Sequence, residues 1–327
     1  MQDKVIGIQV PEFSKEAITN LAKELYGIEG KISSLVAYED QNARIKTQDG
    51  SYVLKIANNR FAIEALQMQI DILAYLADAA PDLALPRVIP SKNGEHIEIV
   101  DGFAVRVLIF LEGDILRNVA RSPELYHDLG NFLGRFSTAM DGYSHPDAYK
   151  PDDFWNLDNV MACKLYLDDV DGADCRARIE MFFEIYEKTT LPKLPHLRKS
   201  VIHNDVNEQN VLVEAHNPDQ ISGLIDFGEL QYGTHINELA VTLAYALLGE
   251  DDISMAGRQI IDGYTEVFSL EIEELEVLPS LMAMRLVQSI IMTSNSTKDF
   301  PDNDYILVSQ KSARELLRRI AGEELSI

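Results

Sequence analysis

The chain has 327 residues and a formal net charge of −24, from 29 Lys and Arg against 53 Asp and Glu. A surface this negative repels phosphate backbones and anionic lipids, which argues against nucleic acid polymers and membranes as partners. Two cysteines, Cys163 and Cys175, are too few for a disulfide framework, and no secretory signal is visible, so the sequence predicts a cytoplasmic protein. The sequence leaves the oligomeric state open.

Residues 31–110 have the pattern of a small β-sheet with one helix. Alternating runs at Asn42–Thr47 and Ser51–Ile56 flank Gln48-Asp-Gly50, a strong hairpin signal. Apolar residues at helical spacing follow from Arg60 to Leu76. We therefore expect a β-rich N-terminal domain over residues 1–111. Its further strands are predicted at Arg87–Pro90, His96–Val100 and Phe103–Phe110.

Helical patterns dominate after Gly113, and we expect a mainly helical domain over residues 112–327. The exception is a pair of short apolar strands, Val211–Val213 and Ile221–Ile225. Pro279 is expected to break or kink the fifth helix. A β-rich lobe followed by a helical lobe predicts an α+β fold with a cleft between the two. The predicted helices are Glu124–Met140, Arg176–Tyr186, Ile236–Leu248, Ile253–Phe268, Ile272–Met292 and Tyr305–Ile320.

The segment between residues 201 and 228 carries the motif with chemical content. His203-Asn-Asp205 is followed by Asn210, and Asp226-Phe-Gly comes after the two short strands. This is the spacing of a kinase catalytic loop and its metal-binding Asp-Phe-Gly. Phosphoryl transfer requires a carboxylate at the attacking hydroxyl and hard oxygen ligands for Mg²⁺. Asp205 is therefore predicted to be the catalytic base, with Asn210 and Asp226 as metal ligands, while His203 is expected to pack within the loop.

The N-terminal sheet is expected to supply a cation for the nucleotide phosphates. Lys55 lies on the third strand, where Val53 points to the same face and would contact the adenine or guanine plane. An exposed strand lysine is the alternative. A kinase lysine is held by a helix carboxylate, and Glu64 is the favoured partner, although Gln67 lies one turn further on the same face.

Two loops bear on what is bound. No G-x-G-x-x-G precedes Lys55, so the turn from Tyr38 to Asn42 is a candidate phosphate cover, with an ordinary hairpin loop as the alternative. Only residues 229–234 separate Asp226-Phe-Gly from the next helix, which is too short for the peptide-docking floor of a protein kinase and favours a small substrate. Glu238, at the start of that helix, is expected to accept hydrogen bonds from the catalytic loop.

The chain resembles the aminoglycoside-phosphotransferase-like kinases, the group that contains choline, homoserine and aminoglycoside kinases, and within it the hydroxylysine kinase and related domains. The likeness runs from about Tyr26 to beyond Tyr264. Besides the catalytic motifs, it rests on Glu39-Asp-Gln-Asn42, Tyr52-Val-Leu-Lys55-Ile, Val105-Arg-Val-Leu-Ile-Phe-Leu-Glu-Gly113 and Glu238-Leu-Ala-Val-Thr-Leu-Ala.

This resemblance implies a protein-kinase-like bilobal fold and ATP or GTP as the phosphoryl donor with Mg²⁺. It also implies that Lys55 binds the phosphates and that Phe110, Leu111 and Glu112 form the hinge that meets the base edge. Asn42, at the end of the candidate phosphate cover, is expected to bind the nucleotide as well. Two departures from the family pattern stand out. Gln67 takes the position of the helix carboxylate, and Asn204 stands where many relatives carry Gly.

The acceptor is predicted to be a small, amine-bearing alcohol such as hydroxylysine, with aminoglycosides, homoserine and choline as alternatives. Glu208 and Glu229 are candidate partners for its ammonium group, and Trp155 for a cation–π contact. For Asp152 and Asp153, capping of the following turn is the favoured role. Two other classes compete with a kinase: a catalytically silent nucleotide-binding module, and a helical interaction protein in which the motifs are accidental.

Overall fold

The computed structural model describes residues 10–36, 40–59, 62–298 and 309–322. The chain divides into two compact units, Met1–Glu112 and Gly113–Ile327. Three predictions fall partly outside the described residues: the turn from Tyr38 to Asn42, the helix start at Arg60 and the helix start at Tyr305.

The N-terminal unit is built on a six-stranded antiparallel sheet. Its strand order is β1-β2-β3-β6-β4, and β5 pairs with β6. The hairpin predicted around Asp49-Gly50 is confirmed, since Lys46 of one strand pairs with Ser51 of the next. The strands are β1 Lys31–Leu35, β2 Gln41–Lys46, β3 Ser51–Ile56, β4 Val88–Ile89, β5 Glu98–Val100 and β6 Phe103–Ile109.

One face of this sheet is apolar and packs against helix α1, Lys15–Tyr26, which the sequence analysis missed. The signals were present: Ser14 accepts a hydrogen bond from the Ala17 amide, and Gly27 ends the helix in the left-handed region at φ 71°. The Tyr26 hydroxyl donates to the carbonyl of Val105 at 3.0 Å. The buried cluster includes Ile18, Ala22, Ala43, Ile45, Leu54, Ile56, Val105 and Val107.

Side chains alternate across a strand, so the residues between the buried ones point to the opposite face of the sheet. This face carries several polar side chains. Asn42, Lys55 and Arg106 are cross-strand neighbours on this face, and Arg44 and Val53 form part of the next row. Helix α2, Ile63–Ala79, follows β3 as predicted.

The C-terminal unit is mainly helical and carries two small antiparallel sheets. One has the order β10-β9-β7, and the other pairs β11 with β8. Its helices are α3 Pro123–Met140, α4 Ala173–Thr189, α5 Asn237–Ala246, α6 Ile253–Thr265, α7 Ile272–Ser296 and α8 Gln310–Ala321. Its strands are β7 Asp114–Ile115, β8 Lys199–Ile202, β9 Val211–Glu214, β10 Asn217–Leu224 and β11 Gln231–Thr234. Four short 3-10 segments cover Leu116–Asn118, Pro146–Ala148, Leu194–His196 and Phe227–Glu229, and a longer one covers Leu157–Asp169.

Helix α7 continues through Pro279, so the predicted break does not occur there, while the alternative of a kink stays a prediction. The carbonyl that loses its donor there belongs to Leu275, whose side chain is 43% exposed, so that turn lies on the solvent side. The turns after Pro279 are almost wholly buried, and this packing outweighs one lost hydrogen bond. By length and composition α7 could cross a membrane, but 78% of its most apolar window is buried inside the protein, as in a core helix.

Candidate active site

The catalytic loop begins where β8 ends and runs from His203 to Asn210. Its first turn bends through Asn204, which has φ 65°, a left-handed conformation that asparagine tolerates better than most residues. Glu238, at the start of α5, accepts the backbone N–H groups of His203 and Asn204, as predicted. A buried carboxylate on a rigid helix therefore fixes the bend that leads to Asp205.

Two amide side chains hold the carboxylate of Asp205. Asn207 Nδ2 donates to Oδ1 at 2.9 Å, and Asn210 Nδ2 donates to Oδ2 at 2.7 Å. Burial raises the pKa of Asp205 to about 6, and the charge of Arg285 together with these two hydrogen bonds opposes that rise. At neutral pH Asp205 is thus an ionised carboxylate with fixed oxygens, which is what a group that receives a hydroxyl proton must be.

Asn210 and Asp226 are brought to the same edge by the strands between them. β9 and β10 form an antiparallel pair, and the Ile225 amide donates to the Asn210 carbonyl at 2.8 Å. Asp226 follows directly, in a left-handed turn at φ 63°. Its charge acts on both Asp205 and His203. The three residues predicted to carry the chemistry are therefore assembled within one unit.

The donor set at this edge suits a hard divalent cation. Asn210 uses its Nδ2 for Asp205, and within the described part of the chain its Oδ1 accepts no hydrogen bond. Asp226 is an exposed carboxylate. Magnesium is typically held by one or two carboxylate or amide oxygens, with water and phosphate oxygens completing the shell. Among the described residues no cluster of three His, Cys, Asp or Glu side chains offers an all-protein metal site instead.

His203 has a structural role, as predicted. Its ring is fully buried and lies 4.7 Å from the Phe227 ring and 6.3 Å from the Phe136 ring, both edge to face. Nδ1 accepts the amide of Asp205, so Nε2 carries the proton and donates to the Ile225 carbonyl. Burial lowers the pKa of His203 to about 4, which keeps the ring neutral. It ties the catalytic loop to the segment that bears Asp226.

A second carboxylate lies near Asp205. Burial raises the pKa of Glu229 to about 7, and the negative charges of Asp205 and Asp153 add to the rise, whereas Lys150 and Arg285 oppose it. Asp153 also caps its own turn, as predicted, by accepting the Trp155 amide at 2.8 Å. Asp153, and Glu229 when it is ionised, thus add negative charge around the proposed base.

The other two predicted acceptor residues are placed differently. Glu208 is 5% exposed; Arg117 and Arg121 act on its charge, and Ser309 Oγ lies 3.5 Å from its carboxylate. Trp155 is half-buried, and the guanidinium of Arg285 already lies 4.9 Å from its ring centroid. Of the three residues predicted to contact the acceptor, Glu229 is the one on which the charge of Asp205 acts. Contacts of Glu208, Glu229 and Trp155 with the acceptor all stay predictions.

Arg285 is a site residue that the sequence analysis did not identify. It lies within α7 and is 2% exposed, yet its Nη2 is 3.7 Å from Asp205 Oδ1. No sequence motif marks it, because it stands 80 residues after Asp205 in a largely apolar helical run, Leu281–Ile291.

In the N-terminal unit, the predicted nucleotide residues lie on the polar face of the sheet. Lys55 is half-buried between Asn42 and Arg106, and Val53 shares the face. Asn42 has a buried Oδ1 without a hydrogen-bond partner among the described residues. Glu64 is exposed in the first turn of α2, where the structure records no ion pair for it within the described ranges. Its pairing with Lys55 stays a prediction.

The predicted hinge follows β6. Phe110 donates its amide to the Ser51 carbonyl at 2.9 Å, and Arg44 lies 3.9 Å above the Phe110 ring. Arg44 also forms an ion pair with Glu112, which accepts a second hydrogen bond from Ser51 Oγ at 3.1 Å. Leu111 lines a cavity of about 260 Å³ together with Leu83, Leu85, Arg87 and Ile109. Arg44 is a further residue at this edge that the sequence analysis did not mark.

Comparison with known proteins identifies the family and the fold of the chain. Residues 33–271 match the model of the phosphotransferase enzyme family. The chain is 26% identical to hydroxylysine kinase of Mus musculus over 337 residues, covering 95% of the chain and 90% of that protein. A solved microcompartment-associated aminopropanol kinase superposes with a TM-score of 0.74 at 15% identity, covering 95% of this chain and 98% of that one.

An amicoumacin kinase, solved in complex with AMP-PNP, Ca²⁺ and Ami, gives a TM-score of 0.70 at 16% identity over 93% of both chains. The prediction of a protein-kinase-like α+β fold, with a β-rich N-terminal part and a mainly helical C-terminal part, is confirmed.

Proposed function

The chain belongs to the phosphotransferase enzyme family and is a small-molecule kinase that acts on hydroxyl groups, with a nucleotide as donor and a divalent metal ion, and we propose that its acceptor is a small amino-alcohol of the hydroxylysine type. We further propose Mg²⁺ as the metal and ATP or GTP as the donor. The observation that carries the catalytic part is the carboxylate of Asp205, held by Asn207 and Asn210 beside Asp226.

In the proposed mechanism, the acceptor hydroxyl donates its proton to Asp205 as its oxygen bonds to the γ-phosphorus. The bond from that phosphorus to the bridging oxygen breaks, and the nucleoside diphosphate leaves with the bond electrons. When bound to Asn210 and Asp226, Mg²⁺ would neutralise phosphate charge. Lys55 would bind the phosphates, Val53 would contact the base plane, and residues 110–112 would meet the base edge.

The proposal that the acceptor carries an amine is supported by the negative charge around Asp205. Glu229 and Asp153 place two more carboxylates near it, and the charges of Asp205 and Asp153 both act on Glu229. An ammonium group that bound there would offset this repulsion, and a cation next to a partly buried carboxylate interacts more strongly than in water. A hydroxylysine-type acceptor carries such a group, as do aminoglycosides, which stay the second candidates.

Two substitutions test the catalytic assignment. Asp205→Asn keeps the size of the side chain but cannot take the proton, so we expect turnover to fall by about 100-fold or more while Mg²⁺-nucleotide still raises the melting temperature. Asp226→Ala should abolish that metal-dependent shift. Asp168→Asn is the matched control, because Asp168 is exposed and distant in sequence from the catalytic loop. Wild-type turnover in Asp205→Asn would rule out the proposed base.

The acceptor is tested by measuring acceptor-dependent nucleotide consumption with hydroxylysine, aminopropanol, homoserine, choline and an aminoglycoside. Under this proposal hydroxylysine gives the highest kcat/KM. A higher value for homoserine or choline would reject the hydroxylysine-type acceptor while leaving the kinase activity in place. If the chain bound nucleotide but turned over none of these acceptors, the proposed acceptor class would be wrong.

A further inference from the structure

The peptide that leads into Asp205 is held at both of its edges. Its N–H, from Asp205, donates to His203 Nδ1 at 3.3 Å, and its C=O, from Asn204, accepts a hydrogen bond from Arg285 Nη2 at 3.2 Å. Because Asn204 is in the left-handed region, a rotation of this peptide would redirect the Asp205 side chain. Arg285 therefore restrains the one bend on which the direction of Asp205 depends.

Arg285 reaches several acceptors at once. Nη1 donates to the Trp155 carbonyl at 3.3 Å and to Gln288 Oε1 at 2.9 Å, while Nη2 lies 3.7 Å from Asp205 Oδ1. Its guanidinium also lies 4.9 Å from the Trp155 ring centroid and 5.5 Å from that of Tyr245. Only a planar, forked cation presents donors in this many fixed directions, so a lysine could serve just part of the set.

The positive charge of Arg285 acts on several carboxyl groups of the site and is not neutralised by a single ion-pair partner. It acts on the carboxyls of Asp205, Glu229 and Glu238. At 3.7 Å its contact with Asp205 is longer than a bidentate ion pair, so the oxygens of Asp205 stay oriented by Asn207 and Asn210. A buried guanidinium is costly unless its donors are satisfied. Here the carbonyls of Trp155 and Asn204 and Gln288 Oε1 accept from the two Nη atoms, while Nε has no hydrogen-bond partner among the described residues.

We propose that Arg285 is a positioning residue for phosphoryl transfer, which aims the Asp205 carboxylate and supplies the buried positive charge beside it. This inference rests on the proposed role of Asp205. Arg285 does not contact the acceptor, since its side chain is 2% exposed. It acts through the Asn204–Asp205 peptide and through the field at Asp205.

The test compares Arg285→Met and Arg285→Lys with Arg198→Met. Arg198 is a matched control, because its guanidinium pairs with the buried Glu274 and lies 4.8 Å from the Phe268 ring, and its recorded side-chain partners lie outside the catalytic loop. We expect Arg285→Met to lower kcat by about 100-fold and Arg285→Lys by about 10-fold, with the nucleotide KM within about threefold of wild type. Arg198→Met should lower the melting temperature and leave kcat within about threefold.

These kcat values are measured with hydroxylysine as the acceptor. If hydroxylysine is not turned over, the acceptor of the panel with the highest rate is used instead. Should Arg285→Met fail to fold, Arg285→Lys carries the comparison. Unchanged kcat in the folded Arg285 variants would overturn the inference, as would a loss in Arg198→Met equal to theirs, since either result describes a merely structural arginine.

The double variant Asp205→Asn/Arg285→Met separates this inference from the function on which it rests. If Arg285 acts through Asp205, the second substitution lowers kcat no further than about threefold in the Asp205→Asn background. A further 100-fold loss would mean that Arg285 acts independently of Asp205 and would overturn the inference. Wild-type activity of Asp205→Asn alone would instead reject the proposed base.

Discussion

Single side chains near Asp205 set the electrostatics of the acceptor site. The negative charges of Asp205 and Asp153 add to the raised pKa of Glu229, and the positive charges that act on Glu229 come from Lys150 and Arg285. Arg285 is committed to backbone carbonyls and buried, so it cannot also serve as a mobile counter-ion. The remaining negative charge is therefore available for a cation that arrives with the substrate.

Assayed at pH 8, above the pKa of Glu229 that burial raises to about 7, the substitution Glu229→Gln removes one negative charge from this group with little change in volume. If an acceptor ammonium pairs with Glu229, losing the charge-assisted contact costs about 2 kcal/mol, so the acceptor KM should rise about 30-fold. The nucleotide KM should stay unchanged, because Glu229 is not assigned to the nucleotide. Steady-state kinetics with each substrate varied in turn measures both values.

Glu180→Gln is the control for this experiment, since Glu180 is exposed on α4 and no charge of the acceptor site is altered. A homologous acceptor that lacks the amine should bind wild type and Glu229→Gln equally. An unchanged acceptor KM in Glu229→Gln would show that the ammonium lies elsewhere.

At the scale of the elements, helix α3 packs against α6 and also contacts the aromatic residues of the catalytic loop and of the Asp226 motif. α3 carries Phe136, whose ring lies 6.3 Å from those of both His203 and Phe227. The two helices approach closely at glycines: a Cβ on Gly130 would lie 2.0 Å from the Ile260 carbonyl oxygen, and one on Gly263 would lie 2.0 Å from that of His127. The short distance between these helices thus depends on the absence of a Cβ atom at Gly130 and Gly263.

The substitution Gly263→Ala tests this dependence, because it has one stabilising and one destabilising effect on the fold, each of known size. Alanine stabilises a helix interior by about 1 kcal/mol relative to glycine, but here the added methyl would overlap a backbone carbonyl, which cannot move as a side-chain end can. Overpacking of this kind costs about 1–3 kcal/mol or more, so we expect net destabilisation and a melting temperature lower by several degrees. Thermal unfolding followed by circular dichroism measures the change.

The neighbouring Asp262→Ala provides the comparison, because Asp262 is exposed on the same turn of α6. The variant Asp262→Ala receives the same strong helix former without an overlap with a backbone carbonyl. Its melting temperature should therefore equal or exceed that of wild type. A Gly263→Ala protein as stable as Asp262→Ala would mean that the two helices can separate at little cost.

The elements that sequence reasoning found share a property: their signal is local. The loop from His203 to Asn210 and the motif at Asp226 are contiguous, and the turn between β9 and β10 joins them, so spacing alone predicted their assembly. Strands β8 and β11 pair only with each other across 28 intervening residues, and four-residue runs carry no clear period. Arg285 reaches the loop by folding of a distant helix, which no spacing rule describes.

At the scale of the whole molecule, the net charge of −24 acts differently on the two substrates. A cationic acceptor is attracted to the protein over the screening length, whereas the Mg²⁺-nucleotide complex, which keeps negative charge, is repelled. This length falls from about 30 Å at 0.01 M salt to about 8 Å at 0.15 M, so both effects should weaken over that range. Local contacts inside the site are screened much less.

Salt should therefore shift the two Michaelis constants in opposite directions. Between 0.01 M and 0.15 M KCl, we expect the KM of an amine-bearing acceptor to rise several-fold and that of the Mg²⁺-nucleotide to fall, while kcat changes little, because buried groups are hardly screened. Each KM is measured with the other substrate saturating and with free Mg²⁺ held constant. Potassium acetate in place of KCl controls for a specific effect of chloride. A parallel rise of both constants would indicate a general effect of salt on the protein, and it would leave the negative surface without a part in choosing a cationic acceptor.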